Sequence, residues 1–167
     1  GDVTGDGIDD LAVSNIGDIE QLTSFLGTNA SINLFENRTD RFSAWKSIPM
    51  TGVTYAVLAA DFDMDGDVDI IATVQEIVDV GGASRLDPYL RVFENDGKGE
   101  FTQTASLTLE EEPRYAVKGD FDKDGDLDLA VLCTIIDTAG SSNAVNGRIY
   151  VFYNQAITVA VSGWELY

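Results

Sequence analysis

Several residue types are missing or scarce in this chain of 167 residues. It has no histidine, which excludes nucleophiles activated by histidine and zinc sites ligated by histidine. Its one cysteine, Cys133, excludes an intrachain disulfide framework, and its place in the run LAVLCTII indicates a small buried hydrophobe. No apolar run reaches the ~18 residues of a membrane-spanning helix, so we expect no membrane insertion.

Positive charge is also scarce. Ten basic residues stand against 29 acidic ones, and the formal net charge is −19. Nucleic acids and anionic membranes are bound through basic patches, so neither is an expected partner. The charge fits cations as ligands, or a protein in a salty medium. The chain lacks an initiator methionine and a signal peptide, and we expect it to be mature, trimmed or incomplete.

The chain does contain an internal repeat. The stretches DVTGDGIDDL, DFDMDGDVDI and DFDKDGDLDL begin at residues 2, 61 and 120, which are two intervals of 59 residues. A second motif keeps nearly the same period, as LFEN at 34–37, VFEN at 92–95 and VFYN at 151–154. Two motifs in register indicate repeated supersecondary units, which we place at 1–53, 54–112 and 113–167.

Each unit is predicted to be a four-stranded antiparallel meander, with strands A to D. In the second unit VLAAD enters the acidic loop, DIIATVQEIV leaves it, and YLRVFEN follows a B–C loop at 79–88. The hairpin signal DGKG then leads into FTQTASLTL. The first unit lacks strand A. The other B–C loops are predicted at 16–30 and 137–147, with a possible helical turn at 20–26.

Repeated four-stranded sheets predict an all-β fold made of β-propeller blades. About three blades are present, and a propeller needs about four to eight to close. We therefore expect an incomplete ring. It either belongs to a longer chain or packs against further copies of itself through open sheet edges.

The acidic loops share the spacing D-x-[DT]-x-D-G-x-x-D. Oxygen ligands at positions 1, 3, 5 and 9, with the backbone carbonyl of position 7, suit Ca²⁺, which takes six to eight oxygens in flexible geometry; Mg²⁺ is a poorer match. The central glycine allows the sharp reversal. The predicted ligands of up to three Ca²⁺ ions are Asp2, Thr4, Asp6, Ile8 and Asp10; Asp61, Asp63, Asp65, Asp67 and Asp69; and Asp120, Asp122, Asp124, Asp126 and Asp128.

An EF-hand or dockerin loop begins in the same way. Such loops need an acidic residue at position 12 and a helix after it. Position 12 is here Val13, Ala72 or Val131, and strand-like residues follow. The spacing therefore favours a calcium site in a β-hairpin.

These loops, with the following stretches INLFENRTDRF, LRVFENDGKGEF and RIYVFYN, resemble the FG-GAP/VCBS repeats found in integrin alpha subunits and many secreted microbial proteins. The resemblance covers almost the whole chain. It implies an extracellular or cell-surface, non-catalytic propeller that is stabilised by calcium and used in adhesion or ligand display. Thr4 departs from the pattern, and no Gly-rich hairpin follows Asn154.

Other residues have simpler interpretations. Phe35, Phe93 and Phe152 recur and are predicted in the core, while Phe62 and Phe121 are expected to pack under the metal sites. Trp45 and Trp164 do not recur and are assigned to edge or inter-blade positions. N-glycosylation patterns begin at two asparagines, Asn29 in NAS and Asn37 in NRT, and their use requires a eukaryotic secretory host.

No catalytic constellation stands out, so we expect a structural, adhesive or assembly role. A protein or glycan ligand is expected on the face of the B–C loops, because loops that vary on a constant scaffold commonly bind. The alternative is a part of a secreted carbohydrate-active enzyme or lectin, because fold does not fix function.

Overall fold

The computed structural model describes residues 1–17, 29–136, 145–154 and 165–166. These residues form strands, turns and loops without a helix, so they contain no helix that could cross a membrane. The prediction of an all-β fold is confirmed. The strands are β1 (Leu11–Asn15), β2 (Ser31–Asn37), β3 (Phe42–Pro49), β4 (Val53–Ala60), β5 (Asp69–Val80), β6 (Ala83–Asn95), β7 (Phe101–Thr108), β8 (Glu112–Gly119), β9 (Asp128–Ile136), β10 (Val145–Tyr153) and β11 (Glu165–Leu166).

The strands make three antiparallel sheets whose neighbours follow the order of the chain. Sheet 1 contains β1 to β3, sheet 2 contains β4 to β7, and sheet 3 contains β8 to β11. Val53 begins sheet 2 and Glu112 begins sheet 3. The repeat boundaries drawn from the sequence stay a prediction. The possible helical turn at 20–26 and Trp164 lie outside the described residues.

Sheet 2 is buried on both of its faces, and its sequence explains why. In β5 the five successive residues at 70–74 are all buried, whichever face their side chains point to. Ile70, Ala72 and Val74 pack towards sheet 1, whereas Ile71 packs towards sheet 3. Burying an isoleucine side chain contributes about 1.5–3 kcal/mol, so this double burial is a large part of the stability.

Two apolar cores result from this stacking. The core between sheets 1 and 2 contains Val3, Ala30, Ile32, Leu34, Ile48, Met50, Ile70, Ala72, Val74 and Phe93. The core between sheets 2 and 3 contains Ala60, Phe62, Ile71, Leu90, Val92, Leu109, Leu129, Val131, Cys133, Tyr150 and Phe152. Cys133 is buried as predicted, and burial raises the pKa of its thiol to about 11.

The predicted loop at 79–88 is wrong. Strands β5 and β6 run on past their neighbours and join in a tight turn at Gly81 and Gly82, with φ of 66° and 87°. Two glycines with positive φ suit the two-residue turn of a twisted hairpin. β4 pairs with β5 only as far as Gln75, so residues 76–87 form a two-stranded arm beyond the sheet. The loop predicted at 137–147 likewise overlaps β10, which begins at Val145.

The recurring aromatic residues do not all reach the core. Phe93 and Phe152 are buried, as predicted, and Phe62 is buried too. Phe35 is half-buried, and Phe121 is exposed. Phe121 is exposed because no described sheet covers the outer side of sheet 3, and its packing under a metal site stays a prediction.

Trp45 lies between sheets 1 and 2. Its ring lies where a side chain on Gly99, in the β6–β7 turn, would have to go. The adjacent Lys46 Nζ donates to the Gly99 carbonyl at 2.8 Å and pairs with Glu100 at 2.6 Å. This placement agrees with the inter-sheet position expected for Trp45.

Candidate metal centre

The three acidic loops share one backbone path. We call residues 2–10, 61–69 and 120–128 loop 1, loop 2 and loop 3. Positions 4 and 6 of each loop have positive φ, between 63° and 104°: Gly5 and Gly7, Met64 and Gly66, Lys123 and Gly125. Two residues in the left-handed conformation within such a short span turn the chain tightly. This conformation strains the backbone of Met64 and Lys123, because they are not glycines.

Loop 2 brings three carboxylates together. One oxygen from each of Asp61, Asp63 and Asp65 lies within 4.8 Å of the others. Asp61 Oδ2 accepts the Gly66 N–H at 3.1 Å, and Asp63 Oδ1 accepts the Asp65 N–H at 3.1 Å. Asp61 Oδ1 is buried, and no hydrogen bond reaches it from the described residues.

The charges in loop 2 oppose one another. Desolvation, together with repulsion from Asp65 and Glu94, raises the pKa of Asp63, although the Asp65 N–H acts to lower it. Two unit charges 4.8 Å apart repel by about 3.5 kcal/mol at an effective dielectric constant of 20. A bound cation would remove this repulsion.

Loop 3 repeats the cluster in a more exposed form. Oxygens of Asp120, Asp122 and Asp124 also lie within 4.8 Å of one another. The Asp124 N–H donates to Asp122 Oδ1 at 3.2 Å. Desolvation, aided by the charges of Asp124 and Asp128, raises the pKa of Asp122 against this hydrogen bond.

Loop 1 is built differently. The carboxylate of Asp2 accepts the backbone N–H groups of Gly5, Asp6 and Gly7 at 2.7–3.0 Å, and the Thr4 hydroxyl at 3.4 Å. Desolvation acts to raise the pKa of Asp2, but these hydrogen bonds hold it below its usual value. Position 3 of loop 1 is Thr4, where the other two loops have aspartate. Loop 1 therefore has no cluster of three carboxylates.

The residue at position 7 lies in a different environment in each of the three loops. Ile8 is exposed, and its N–H donates to Asp6 Oδ1 at 2.9 Å. The Asp67 carboxylate lies against Gly97 in the β6–β7 turn, where a Cβ would come within 2.8 Å of its carbon atom. Asp126 is buried. None of the three is among the clustered carboxylates, and a ligand role for the backbone carbonyl at this position stays a prediction.

Position 9 is a buried structural latch, which sequence reasoning missed. Asp69 Oδ2 accepts the Phe62 N–H at the start of loop 2, and Asp69 Oδ1 accepts the Asn95 N–H at the end of β6, both at 3.0 Å. Asp128 binds Phe121 and Asn154 in the same way, at 2.7 and 2.9 Å. Burial raises the pKa of Asp69 to about 6, although both N–H groups lower it.

Asp10 forms the same latch in loop 1. Its carboxylate accepts the N–H groups of Val3, Thr4 and Asn37 at 2.8–3.2 Å. The position-9 aspartates thus bind backbone N–H groups and are not among the clustered carboxylates. Their role as metal ligands stays a prediction.

Comparison with known families agrees with this repeated architecture. The FG-GAP-like repeat family matches residues 2–72 and 76–131, which is most of the chain and includes all three acidic loops. The chain belongs to the FG-GAP-like repeat family. The resemblance drawn from the loops and the following strands is confirmed. A search of curated proteins found no match.

A second feature of this FG-GAP-like chain ties neighbouring sheets together. Asn95 ends the VFEN motif, and its side-chain amide donates to the carbonyl of Val3 in loop 1 at 3.2 Å. Asn154 ends the VFYN motif and donates to the carbonyl of Phe62 in loop 2 at 2.6 Å. Each asparagine therefore joins its own sheet to position 2 of the preceding loop. The recurrence of asparagine in the second motif was the available signal.

Asn37 stands at the same place in sheet 1 of the FG-GAP-like chain and makes the contact to its own loop that Asn95 also makes, where the Asn95 amide donates to the carbonyl of Val68 at 3.0 Å. The Asn37 amide donates to the carbonyl of Asp9, in the loop of its own sheet, at 3.0 Å. Asn29 has a left-handed backbone with φ of 68°. Glycosylation of Asn29 and Asn37 stays a prediction.

Proposed function

We propose that this chain is a calcium-binding segment of an extracellular β-propeller with a structural role. Loops 2 and 3 bind Ca²⁺ through Asp61, Asp63 and Asp65 and through Asp120, Asp122 and Asp124. The observation that carries this proposal is Asp61 Oδ1, a buried carboxylate oxygen without a hydrogen bond from the described residues, beside two further carboxylates. A buried anionic oxygen without a partner is unfavourable unless a cation binds it.

Calcium suits these loops better than magnesium. Three carboxylates within 4.8 Å leave room for backbone carbonyls and water, which Ca²⁺ accepts at 2.3–2.6 Å in irregular geometry. We further propose loop 1 as a third and weaker site, because Asp2 already accepts backbone N–H groups on both oxygens. The ions would hold the start of each following strand in place.

Three further features support a propeller segment. The sheets succeed one another along the chain, the acidic loops repeat every 59 residues, and sheet 2 is buried on both faces by its neighbours. Propellers contain about four to eight such sheets around an axis. The family resemblance supports an extracellular or cell-surface location and an adhesive or assembly role without catalysis.

The alternative role in a carbohydrate-active enzyme or lectin lacks a specific observation in its favour. Three arginines of sheets 2 and 3 are held by glutamates: Arg91 by Glu76, Arg114 by Glu112 and Arg148 by Glu111. These guanidinium groups support the scaffold.

Isothermal titration calorimetry with Ca²⁺ tests the proposed function. The wild-type chain should show two tighter sites and one weaker one, and Ca²⁺ at 100 times its Kd should stabilise the fold by about 2.7 kcal/mol per site. Asp63→Asn and Asp122→Asn should each remove one tighter site. Asp40→Asn, in the exposed β2–β3 turn, changes the net charge equally and should leave all sites intact. A titration without binding heat, together with a melting temperature that Ca²⁺ does not change, would overturn the proposal.

A further inference from the structure

The turn between β6 and β7 lies between loops 1 and 2 and contacts both of them. A Cβ on Gly5 of loop 1 would come within 2.8 Å of the Gly97 carbonyl oxygen in this turn. A Cβ on Gly97 itself would come within 2.8 Å of the carboxylate carbon of Asp67 in loop 2. Side chains do not tolerate such close approaches, so the packing of both loops on this turn requires glycine. The two loops, 59 residues apart in the sequence, therefore meet at one structural element.

Asn95, at the start of this turn, binds both loops with one side chain. Its amide nitrogen donates to the carbonyl of Val3 in loop 1 at 3.2 Å and to the carbonyl of Val68 in loop 2 at 3.0 Å. Its side-chain oxygen accepts the Gly99 N–H at 2.9 Å. A carboxamide offers two N–H donors and one carbonyl oxygen, and all three take part. Asn95 is buried, so a movement of either loop that breaks one of these bonds leaves a buried polar group without a partner.

The two carbonyls that Asn95 binds belong to neighbours of residues predicted as metal ligands. Val3 follows Asp2 in loop 1, and Val68 precedes Asp69 in loop 2. Asp69 Oδ1 also accepts the backbone N–H of Asn95 at 3.0 Å, so loop 2 holds both the backbone and the side chain of this residue. Val3 is buried in the core between sheets 1 and 2, and Val68 packs against that core. A buried path of direct contacts therefore runs from loop 2 through Asn95 to loop 1.

We propose that occupancy of loop 2 by Ca²⁺ strengthens Ca²⁺ binding at loop 1, with Asn95 as the positioning residue that couples the two sites. This inference rests on the proposed function of the loops. In the occupied loop 2 the carboxylates no longer repel one another, so the Val68 carbonyl, and with it Asn95 and Val3, is held in place. Loop 1 then has less conformational freedom to lose on binding its own ion. The coupling is reciprocal, so occupancy of loop 1 strengthens binding at loop 2 by the same factor.

Charge alone predicts the opposite sign. Loop 2 contains five aspartates and no basic residue, so one Ca²⁺ changes its formal charge from −5 to −3, whereas Asp63→Asn leaves the empty loop at −4. The empty variant loop therefore attracts a cation at loop 1 more strongly than the filled wild-type loop does. Weaker binding at loop 1 in this variant consequently identifies coupling through the structure rather than through charge.

A Ca²⁺ titration followed by NMR of the backbone amides tests the inference site by site. The glycine at position 6 of each loop serves as its probe: Gly7, Gly66 and Gly125. Asp63→Asn empties loop 2 and should raise the Kd at loop 1 by about fivefold or more. Asp122→Asn empties loop 3 with the same change of charge. It should alter the Kd at loop 1 by less than about twofold, because no side chain among the described residues is hydrogen-bonded to both loop 1 and loop 3.

A second pair of variants tests the role of Asn95. In the Asn95→Ala background, adding Asp63→Asn should leave the Kd at loop 1 unchanged. The matched control is Asn154→Ala, which removes the equivalent contact between sheets 2 and 3, and the effect of Asp63→Asn on loop 1 should persist there. The readout is a ratio of two Kd values in one background, so a general loss of stability in either background cancels.

The outcomes separate this inference from the proposed function. If Asp63→Asn leaves the Kd at loop 1 unchanged or lowers it, the inference is overturned while calcium binding stands. An effect of Asp63→Asn that survives Asn95→Ala would overturn the role of Asn95. Should Asn95→Ala fail to fold, the comparison of Asp63→Asn with Asp122→Asn decides alone. Amide signals that Ca²⁺ does not shift in any of the three loops would overturn the proposed function, and the inference with it.

Discussion

Loops 1 and 2 have the same backbone path but deal with their negative charge in opposite ways. In loop 1, Asp2 accepts three backbone N–H groups, and its pKa lies below the usual value. In loop 2, the equivalent Asp61 accepts one N–H and keeps a buried oxygen without a hydrogen bond, while the pKa of the neighbouring Asp63 is raised. Loop 1 satisfies its first carboxylate with its own backbone, whereas loop 2 leaves one oxygen of its first carboxylate without a hydrogen bond from the described residues.

The difference begins with one residue. Thr4 stands where loop 2 has Asp63, so loop 1 lacks a third charge, and the Thr4 hydroxyl donates to Asp2. Both loops keep the position-9 latch, which joins the loop to the end of the second strand after it, β2 or β6. The latch therefore belongs to the fold, and the carboxylate cluster is the part of loop 2 that we propose binds Ca²⁺.

The largest effect is expected from removing the latch, and it should be equal in the two loops. Asp10→Ala and Asp69→Ala each leave buried N–H groups without an acceptor, so each should lower the free energy of unfolding by about 3 kcal/mol. Urea denaturation in chelator measures this loss. Asp96→Ala is the control. The carboxylate of Asp96 accepts two N–H groups in an exposed turn, where water can replace it, so this variant should cost clearly less than either latch variant. A much smaller cost at Asp10 than at Asp69 would refute a shared latch.

The second prediction separates the two loops by sign. Without metal, Asp2→Asn should lower the free energy of unfolding by about 1 kcal/mol, because charge-assisted hydrogen bonds are weakened. Asp61→Asn should raise it by a similar amount, because one of three mutually repelling charges disappears. The pair should therefore differ by about 2 kcal/mol in chelator. Equal signs would mean that the two loops are not different in kind.

The pH dependence of Asp2→Asn adds a check on this difference. The folded-state pKa of Asp2 lies below its unfolded value of about 4, so its stabilising effect is complete above that value. The effect is lost as the pH falls through the folded-state pKa. The cost of Asp2→Asn should accordingly shrink in acid, as measured by unfolding at a series of pH values.

The third prediction concerns a variant in which loop 1 has as many clustered carboxylates as loop 2. Thr4→Asp restores a third carboxylate, so in chelator it should lower the free energy of unfolding by about 1 kcal/mol through repulsion. In Ca²⁺ the sign should reverse, and calorimetry should show three tight sites instead of two. Thr4→Asn, which is similar in size but uncharged, serves as the control. If Thr4→Asp left calcium binding at loop 1 unchanged, carboxylate number would not explain the difference between the loops.

The smallest effect concerns position 4 of the loops. Gly5 adopts its left-handed conformation freely, whereas Met64 does so with φ of 63°. Met64→Gly removes that strain, about 1 kcal/mol, but increases the entropy of the unfolded chain by a comparable amount. The free energy of unfolding should therefore change by less than about 0.5 kcal/mol. Lys123→Gly in loop 3 should behave alike, and a large loss in either would show that the side chain makes a contact of its own.

Much of this architecture could be predicted from the sequence, because its signals are local and repeated. The 59-residue period, the all-β fold and the alternating aspartates each depend on short-range patterns. The role of position 9 could not be read in this way. Asp69 follows the same alternation as Asp61, and only folding brings it to the N–H of Asn95, 26 residues away.

The errors have physical causes as well. The stretch DVGGASRLDP resembles a loop because it contains glycine and proline. Two adjacent glycines, however, also form the tightest hairpin turn. Pro88 lies in β6, where it pairs with Gln75 of β5. Phe121 repeats Phe62 in sequence but not in environment, since burial at that position depends on the sheet that follows. A repeat predicts which side a residue faces, but not whether anything covers it.

The arm at residues 76–87 offers a practical opening in the chain. Its tip is remote from the cores, and added side-chain atoms at Gly81 or Gly82 would meet open space. Exposed hairpin tips are the places where proteins accept new termini or inserted domains. A circular permutant opened between Gly81 and Gly82, or a fluorescent tag placed there, should leave the sheets assembled. The chain could then be labelled or tethered through the arm without any change to the three sheets.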